Sequence, residues 1–277
     1  NEEIMKITYL GSGGAEGVPA AFCSCPSCRM ARALGGREKR LRSSVLINDD
    51  LLIDLSPDFL TVSAACGPLD GLRFVLLTHA HEDHCALHQL MYKSTEAPLD
   101  VYGNEKCRAK YLAADSEIGG IKNTAFHTLH PFDVRHRADY TVTALPANHA
   151  PDQEAVMFLL EQGEKRFLYA EDTGRFPQVT LEYLAARRCD LISMDCAFCM
   201  AKPEATQAHL GLSAFREHME ILKKQGTADE NTVFIAQHFS HSGLIADNKA
   251  YSHDALEQLM LPMGIQPAFD GLSIVLP

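Results

Sequence analysis

An apolar run, Phe74–Leu77, leads directly into the stretch Thr78-His79-Ala80-His81-Glu82-Asp83-His84. A buried strand is therefore predicted to end in a loop that is crowded with metal-binding side chains. In an extended segment, side chains two residues apart point the same way, so His79 and His81 can meet one metal. The aspartate and the last histidine can reach a second metal as the chain turns. Neutral imidazole and carboxylate together suit zinc, manganese or iron. The alternative, a polar surface loop that is merely rich in histidine, poorly explains four such ligands within six residues.

The rest of the chain alternates between short apolar runs and a few helical patterns. The predicted strands are Ile4–Leu10, Ser44–Ile47, Leu51–Leu55, Arg73–Leu77, Tyr140–Leu145, Ala155–Leu160, Arg166–Ala170, Leu191–Met194 and Thr232–Ala236. The predicted helices are Cys85–Tyr92, Leu181–Arg187, Ser213–Lys224 with Ser213 as N-cap, and Ser252–Met260 with Ser252 as N-cap. This mixture predicts an α/β or α+β fold. We find no repeat or linker, so residues 1–277 are predicted to form one domain.

Composition and charge restrict the class of substrate. Apolar residues make up 46% of the chain and charged residues 22%, which is ordinary for a globular protein with a sizeable core. The formal net charge is −11, and the best basic stretch, Arg37–Arg42, is short and interrupted by Glu38. An acidic surface repels a phosphate backbone, so a long nucleic acid is not the expected substrate. A small anionic substrate remains compatible, because bound cations dominate their local field.

The expected compartment follows from three features of the sequence. No apolar run approaches the length of a membrane span, and the first ten residues lack the pattern of a signal peptide. The nine cysteines are odd in number, which favours free thiols or metal ligation over a disulfide framework. We therefore expect a cytoplasmic protein without membrane contact. The sequence does not fix the oligomeric state, and a homodimer is compatible with it.

The pattern H-x-H-x-D-H of the opening stretch resembles that of the metallo-β-lactamase superfamily. The resemblance runs nearly end to end and implies an αββα sandwich with a two-metal site at one edge of the sheets. Three further ligands can then be sought at the ends of apolar runs. His149 closes Leu145–His149, Asp172 lies before Thr173, and His238 closes Phe234–His238.

The resemblance also implies how these residues divide between the metals. His79, His81 and His149 would hold one metal, Asp83, His84 and His238 would hold the other, and Asp172 would bridge them. Asp54, which follows the apolar run Leu51–Ile53, resembles the family's aspartate that braces the ligand loop. The alternative for Asp54 is a simple turn residue.

A second candidate site lies near the N-terminus. Cys23-Ser24-Cys25-Pro26-Ser27-Cys28 places three thiols within six residues, in a loop at about 19–30. Three thiolates and one further ligand make a closed tetrahedral zinc site. Three free thiols or a redox pair are the alternatives. Another pair, Cys196 and Cys199, forms a separate C-x-x-C, for which a redox or metal role is the less favoured interpretation.

The cysteine loop indicates which group within the metallo-β-lactamase superfamily the chain resembles most. Together with the glycine-rich stretch Gly11–Pro19 and the late stretch Phe269–Ile274, it resembles the phosphonate-operon cyclic phosphodiesterases, the PhnP group. In that group the three cysteines and a late histidine hold a structural zinc, which here implies His241 as the fourth ligand. Residues 104–134 match that group poorly, so the resemblance does not identify which of them contact the substrate. The glycines miss the G-x-G-x-x-G spacing, which excludes a dinucleotide site.

These resemblances imply a metal-dependent phosphodiesterase. Two divalent cations, zinc or manganese, would activate water for attack on a small, cyclic or simple phosphodiester, and a third ion would be the structural zinc. His209 resembles the family's histidine that faces the metals, and we assign it as general acid or phosphate binder. An exposed loop histidine is the alternative.

Three other functions compete with this one. A nuclease similar to the tRNA 3′-processing enzymes would show salt-sensitive RNA binding. A protein similar to the pyrroloquinoline-quinone biosynthesis protein PqqB would share the fold and the cysteine loop. A non-catalytic zinc scaffold would lack at least one ligand, whereas all seven catalytic ligands are present in this sequence.

Overall fold

The computed structural model describes residues 4–277, so the first three residues of the predicted domain lie outside the described part. The first of two seven-stranded sheets contains β1 (Met5–Gly11), β2 (Ser44–Ile47), β3 (Leu51–Ile53), β4 (Phe74–Leu76), β5 (Leu99–Gly103), β6 (Thr124–Thr128) and β16 (Ser273–Leu276). Its strand order is β16-β1-β2-β3-β4-β5-β6. From β3 to β6 the neighbouring strands are parallel.

The second sheet contains β7 (Val134–Arg137), β8 (Tyr140–Pro146), β9 (Val156–Gln162), β10 (Lys165–Ala170), β11 (Leu191–Asp195), β12 (Val233–Gln237) and β15 (Ile265–Pro267). Its strand order is β15-β12-β11-β10-β9-β8-β7. The strands β10, β11 and β12 run parallel to one another, so their carboxyl ends meet at one edge of the sheet. A separate hairpin pairs β13 (Ile245–Ala246) with β14 (Lys249–Ala250).

The helices are α1 (Pro26–Leu34), α2 (Phe59–Cys66), α3 (Glu105–Glu117), α4 (Gln178–Leu184), α5 (Leu212–Lys224) and α6 (His253–Met260), with short 3-10 helices at Gly36–Glu38, Leu87–Tyr92 and Leu261–Met263. None of the helices in the described part of the chain combines the length and the apolar character needed to span a bilayer.

Three apolar layers show how these elements are stacked. The central layer joins the facing sides of the two sheets, with Ile7 and Ile47 against Phe158 and Tyr169. A second layer joins the outer side of the first sheet to α2, α3 and the 3-10 helix Leu87–Tyr92. The third joins the outer side of the second sheet to α5 and α6. Side chains alternate between the two faces of a strand, so each sheet is buried on both sides. The predicted αββα sandwich is therefore confirmed.

All nine predicted strands are present, with ends that shift by one or two residues, and Ser252 caps α6 by accepting a hydrogen bond from the Ala255 N–H. Ser213 is not the N-cap of α5: the helix begins at Leu212, and the cap residue is Gly211. A Cβ at Gly211 would lie 2.0 Å from the carbonyl oxygen of Lys202, so this close approach of two backbones requires glycine.

Three further expectations need correction. The predicted helix at Leu181–Arg187 is α4, which begins and ends three residues earlier, at Gln178–Leu184. The predicted helix at Cys85–Tyr92 is a 3-10 helix that starts only at Leu87. The predicted cysteine loop at 19–30 is a loop only as far as Cys25, because Pro26 begins α1. Proline is favoured at the first helical position, where no N–H is needed. Cys28 therefore lies in the first turn of a helix.

Candidate active site

Seven predicted ligands converge where the carboxyl ends of strands from both sheets meet. The loop after β4 carries four of them, while His149 follows β8, Asp172 follows β10 and His238 follows β12. We call these seven residues the histidine–aspartate cluster: His79, His81, Asp83, His84, His149, Asp172 and His238. Asp172 and His238 have φ of 41° and 60°, so the chain turns sharply as each strand ends. Such strained backbone is typical of functional sites.

The first ligand group joins three histidines to Asp172. His81 Nδ1 lies 2.8 Å from His79 Nε2 and 3.2 Å from His149 Nε2. Asp172 Oδ2 lies 3.3 Å from His79 Nε2 and 3.7 Å from His149 Nε2. His79 is buried, whereas His81 is exposed. This group is therefore open to solvent on one side.

The second ligand group is buried throughout and uses Asp172 again. His84 Nε2 lies 2.9 Å from Asp83 Oδ2 and 2.9 Å from Asp172 Oδ2. His238 Nε2 lies 2.7 Å from Asp172 Oδ1. The structure thus brings together the residues that the sequence assigned to each metal, with Asp172 in the bridging position.

Some metal-binding atoms of the cluster lie close together without satisfying one another's hydrogen bonds, as expected for the ligands of a pair of cations. His84 Nε2 and Asp172 Oδ1 are buried and have no hydrogen-bond partner, although both have polar neighbours within 3 Å. In the first group, three ring nitrogens point at one region of space. Buried polar atoms normally find a partner, and converging lone pairs of imidazole and carboxylate are the donor set of zinc or manganese. The residues present therefore fit divalent metals.

The ionisation of His79 and Asp172 agrees with metal binding. Burial and the neighbouring His84 hold the pKa of His79 well below its usual value, so this imidazole is neutral. Burial opposes ionisation of Asp172, but His238 and His84 hold its pKa well below the usual range. Neutral imidazole and ionised carboxylate are the forms that bind metals. Burial opposes protonation of His84, but Asp83, Asp172 and Asp54 raise its pKa well above the usual value, so this ring must release a proton when a metal binds.

The surrounding chain contacts the ligand loop and the ring nitrogens that face away from the metal positions. Asp54 Oδ1 accepts hydrogen bonds from the Thr78 N–H and hydroxyl at 2.8 and 3.0 Å, and Asp54 Oδ2 lies 2.8 Å from His84 Nδ1. His238 Nδ1 lies 3.2 Å from Ser43 Oγ. Such contacts fix the orientation of metal-binding rings. Asp54 thus occupies the bracing position that the sequence resemblance implied, and Ser43 was not predicted.

His209 lies beside the histidine–aspartate cluster and is paired with an aspartate that the sequence analysis missed. Its Nδ1 lies 2.8 Å from Asp195 Oδ2 and 3.5 Å from Asp172 Oδ1. Burial opposes protonation, but the charge of Asp195 and its hydrogen bond raise the pKa of His209 to about 9. The signal that could have identified Asp195 in the sequence is its position, since it is a carboxylate directly after the apolar run Leu191–Met194.

These residues open into a cavity of about 290 Å³. It is lined by members of the histidine–aspartate cluster and by His209. The remaining lining residues, which we call the rim, are Gly14, Ala15, Glu16, Ala197, Phe198 and Ser240. The Phe198 ring meets the His209 ring edge-on, with centroids 5.5 Å apart. The site is thus a small open pocket with one aromatic wall.

The four predicted ligands of the structural zinc also come together. We call Cys23, Cys25, Cys28 and His241 the cysteine cluster; their ligand atoms all lie within 4.8 Å of one another. Cys25 Sγ lies 3.3 Å from His241 Nδ1. Partial burial disfavours the thiolate, but hydrogen bonds from Ser27 and His241 lower the pKa of Cys25 to about 6. All nine cysteines are free thiols, so no disulfide joins the cysteines of this loop. Three sulfurs and one imidazole fit zinc.

The chain resembles curated proteins over parts of its length. A coenzyme PQQ synthesis protein B from Bradyrhizobium diazoefficiens is 31% identical over 147 residues, which cover 48% of this chain and 44% of that protein. An octanoyltransferase from Porphyromonas gingivalis is 44% identical over 84 residues, which cover 29% of this chain and 16% of that protein. The chain thus spans less than half the length of either relative.

Solved structures resemble the chain over nearly its whole length. A diphosphatase from the PhnP family superimposes with a TM-score of 0.75 at 24% identity, covering 99% of this chain and 98% of that one. Zinc-bound PqqB from Methylobacterium extorquens has a TM-score of 0.70 at 18% identity, covering 97% and 99%. The short form of human tRNase Z has a TM-score of 0.65 at 14% identity, covering 98% and 99%. At these identities the likeness shows a shared fold.

The sequence pattern described as the beta-lactamase superfamily domain matches residues 50–239, which is more than half of the chain. The match contains the whole histidine–aspartate cluster, whereas the cysteine cluster lies outside it. The chain therefore belongs to the metallo-β-lactamase superfamily, a family of metal-binding hydrolases.

Proposed function

We propose that this protein is a metal-dependent phosphodiesterase that acts on a small, cyclic or simple phosphodiester. The observation that carries the proposal is the sharing of Asp172 by two ligand groups, with His209 beside them in one cavity. His79, His81 and His149 would hold one ion, Asp83, His84 and His238 the other, and Asp172 both. When bound, two divalent ions supply an activated water and polarise the phosphoryl oxygens.

The chain itself supplies orientation and a proton. Asp195 engages His209 Nδ1, which leaves Nε2 as the nitrogen that serves the cavity. With a pKa of about 9, the ring carries a proton at neutral pH and can pass it from Nε2 to the leaving alkoxide. Asp54 and Ser43 hold the ligand rings in place, so little reorganisation is needed when substrate binds.

Size and charge favour a small substrate over RNA. A cavity of about 290 Å³ is at the lower end of the range for small-molecule sites. Among the residues that line it in the described chain, none is lysine or arginine. A strand of nucleic acid needs a cationic track for its phosphates, whereas a single diester needs only the metal pair.

The direct test is a panel of cyclic and linear phosphodiesters assayed with protein loaded with zinc or manganese. We expect turnover of at least one diester class, loss of that turnover on chelation, and recovery when the metal is restored. Asp172→Asn, purified in parallel, controls for contaminating hydrolases. Absence of turnover for every diester with metal-loaded protein would contradict the proposal.

A PqqB-like role in cofactor biosynthesis is the second candidate. It is favoured by the partial similarity to coenzyme PQQ synthesis protein B from several bacteria, at 31–40% identity. The same panel separates the two functions, because a PqqB-like protein should bind metal without hydrolysing any of the diesters.

A further inference from the structure

The rim of the cavity has an unusual distribution of charge for a site that receives phosphate. Among the lining residues of the described chain, Glu16 is the one charged side chain outside the histidine–aspartate cluster and His209. The lining also includes the apolar side chains of Ala197 and Phe198. A substrate that fills this cavity therefore meets both a carboxylate and an apolar surface.

Glu16 is held in place through one of its two oxygens. Ser240 donates a hydrogen bond to Glu16 Oε1 at 2.6 Å, and His241 Nε2 lies 3.3 Å from the same atom. The side chain is 36% exposed. Ser240 and His241 both engage Oε1, and among the described residues Oε2 has no hydrogen bond, so this oxygen of a cavity-lining side chain is left for a substrate group.

A fixed carboxylate at this place acts on substrates according to their charge. A hydroxyl or ammonium on the substrate can donate to Oε2, and hydrogen bonds to a charged acceptor are the strong ones. Glu16 would repel a second phosphate inside this cavity, whose described lining offers no lysine or arginine; the nearby Lys39 and Arg42 line a separate cavity on which Glu16 also borders. The apolar wall of Ala197 and Phe198 suits the carbon skeleton of such an alcohol.

We infer that Glu16 determines substrate specificity by selecting phosphodiesters whose alcohol carries a hydrogen-bond donor, either a hydroxyl or an ammonium. Because the Glu16 carboxylate is negatively charged, it also disfavours diesters that carry a second phosphate. This inference rests on the proposed phosphodiesterase function and names the substrate class of that site.

The test uses four p-nitrophenyl phosphodiesters with a common leaving group, so that only the second alcohol varies. The alcohols are ethyl, 3-hydroxypropyl, 2-aminoethyl and 2-phosphoethyl. Wild-type protein and Glu16→Gln are compared by kcat/KM with the same metal loading. Glu117→Gln removes the same charge from an exposed position at the end of α3, and it controls for the overall charge of the protein.

For Glu16→Gln we expect a loss of roughly 10-fold with the aminoethyl diester, measured relative to the rate of the same variant with the ethyl diester. The hydroxypropyl diester should lose less, because glutamine still offers an oxygen acceptor. The phosphoethyl diester should gain roughly 10-fold, because the repulsion is removed. A larger loss on the aminoethyl arm than on the hydroxypropyl arm identifies an ammonium as the preferred donor, and a loss confined to the hydroxypropyl arm identifies a hydroxyl.

Equal changes with all four substrates would overturn the inference, since they would show that Glu16 only positions His241. Unequal changes reproduced by Glu117→Gln would overturn it as well, because they would reflect net charge. Failure of the proposed function has a different signature, namely that metal-loaded wild-type protein does not hydrolyse the ethyl diester.

Discussion

The histidine–aspartate cluster and the cysteine cluster are built in different ways. The first draws its donors from the ends of four strands in both sheets, and most of its side chains are buried. The second draws three donors from one loop and the start of α1, and the fourth, His241, from the segment after β12. Of its four residues only Cys28 is buried.

The sheets position the histidine–aspartate cluster, whereas the cysteine cluster, once it holds a metal, stabilises the part of the chain that carries it. Strand ends are fixed by the sheets, so the histidine–aspartate cluster keeps its geometry without help from a metal. A short, partly exposed loop has no such support, and a structural metal commonly supplies its folding energy. Metal removal should therefore abolish activity at the first cluster and loosen the chain at the second.

The largest expected effect is that of Asp172→Asn. Both ligand groups lose their shared carboxylate, so we expect metal binding at this cluster and diester hydrolysis to fall to background. Asparagine tolerates the φ of 41° at this position, so thermal unfolding of the chelated protein should stay cooperative. Asp70→Asn, at an exposed position, is the control. A variant with full metal content and wild-type turnover would refute the bridging assignment.

The second largest effect on activity is expected for His209→Ala. If the protonated ring supplies the leaving group's proton, hydrolysis of alkyl diesters should slow by roughly 10²–10⁴-fold. A p-nitrophenyl diester should lose much less, because its leaving group needs no proton. His88→Ala removes an exposed histidine as a control. Equal losses on both substrate types would leave phosphate binding as the better account of His209.

A smaller effect is expected for Asp54→Asn. The amide cannot reproduce the charged contact with His84 Nδ1, so the ring is less firmly aimed at the metal. Loss of such bracing contacts typically lowers metal affinity or activity by roughly 10–100-fold. Competition with a chromogenic chelator measures the affinity directly. Unchanged affinity would show that the sheet alone orients His84.

Cys25→Ser tests the cysteine cluster, the second of the two sites compared above. Loss of the structural zinc should lower the melting temperature by about 5–10 °C, since a ligand at 100 times its Kd adds about 2.7 kcal/mol and each kcal/mol shifts Tm by about 2–4 °C. Catalytic-metal affinity should fall as well, because His241 lies three residues after His238. Calorimetry should show no such shift for Cys66→Ser, whose cysteine is exposed. Equal melting temperatures for the two variants would argue against a metal at the cysteine cluster.

Local patterns in the sequence were sufficient for much of this molecule. The strands that were predicted have apolar runs, and the ligands from His79 to His84 lie within six residues, so neither depends on distant contacts. The ligands His149, Asp172 and His238 could be located because the family resemblance supplied their order. The strands β6 and β7 were missed because they lie at the sheet edges and carry polar residues such as Arg135 and His136.

Other parts of the site depend on packing that no local pattern records. Asp195 meets His209 across 14 residues, Ser43 meets His238 across 195, and Ser240 meets Glu16 across 224. Each of these pairs forms only when two strand ends or loops are brought together by the sandwich. Single aspartates, serines and glutamates are common at strand ends and in loops, so the sequence alone does not distinguish these from their neighbours.

The account depends most directly on the metals themselves. Anomalous diffraction from crystals of the active protein, recorded at the zinc and manganese absorption edges, locates them without reference to activity. We predict two peaks within the histidine–aspartate cluster, one on each side of Asp172, and one peak of zinc within the cysteine cluster. An active protein with no peak at the histidine–aspartate cluster would contradict the proposed metal-dependent mechanism.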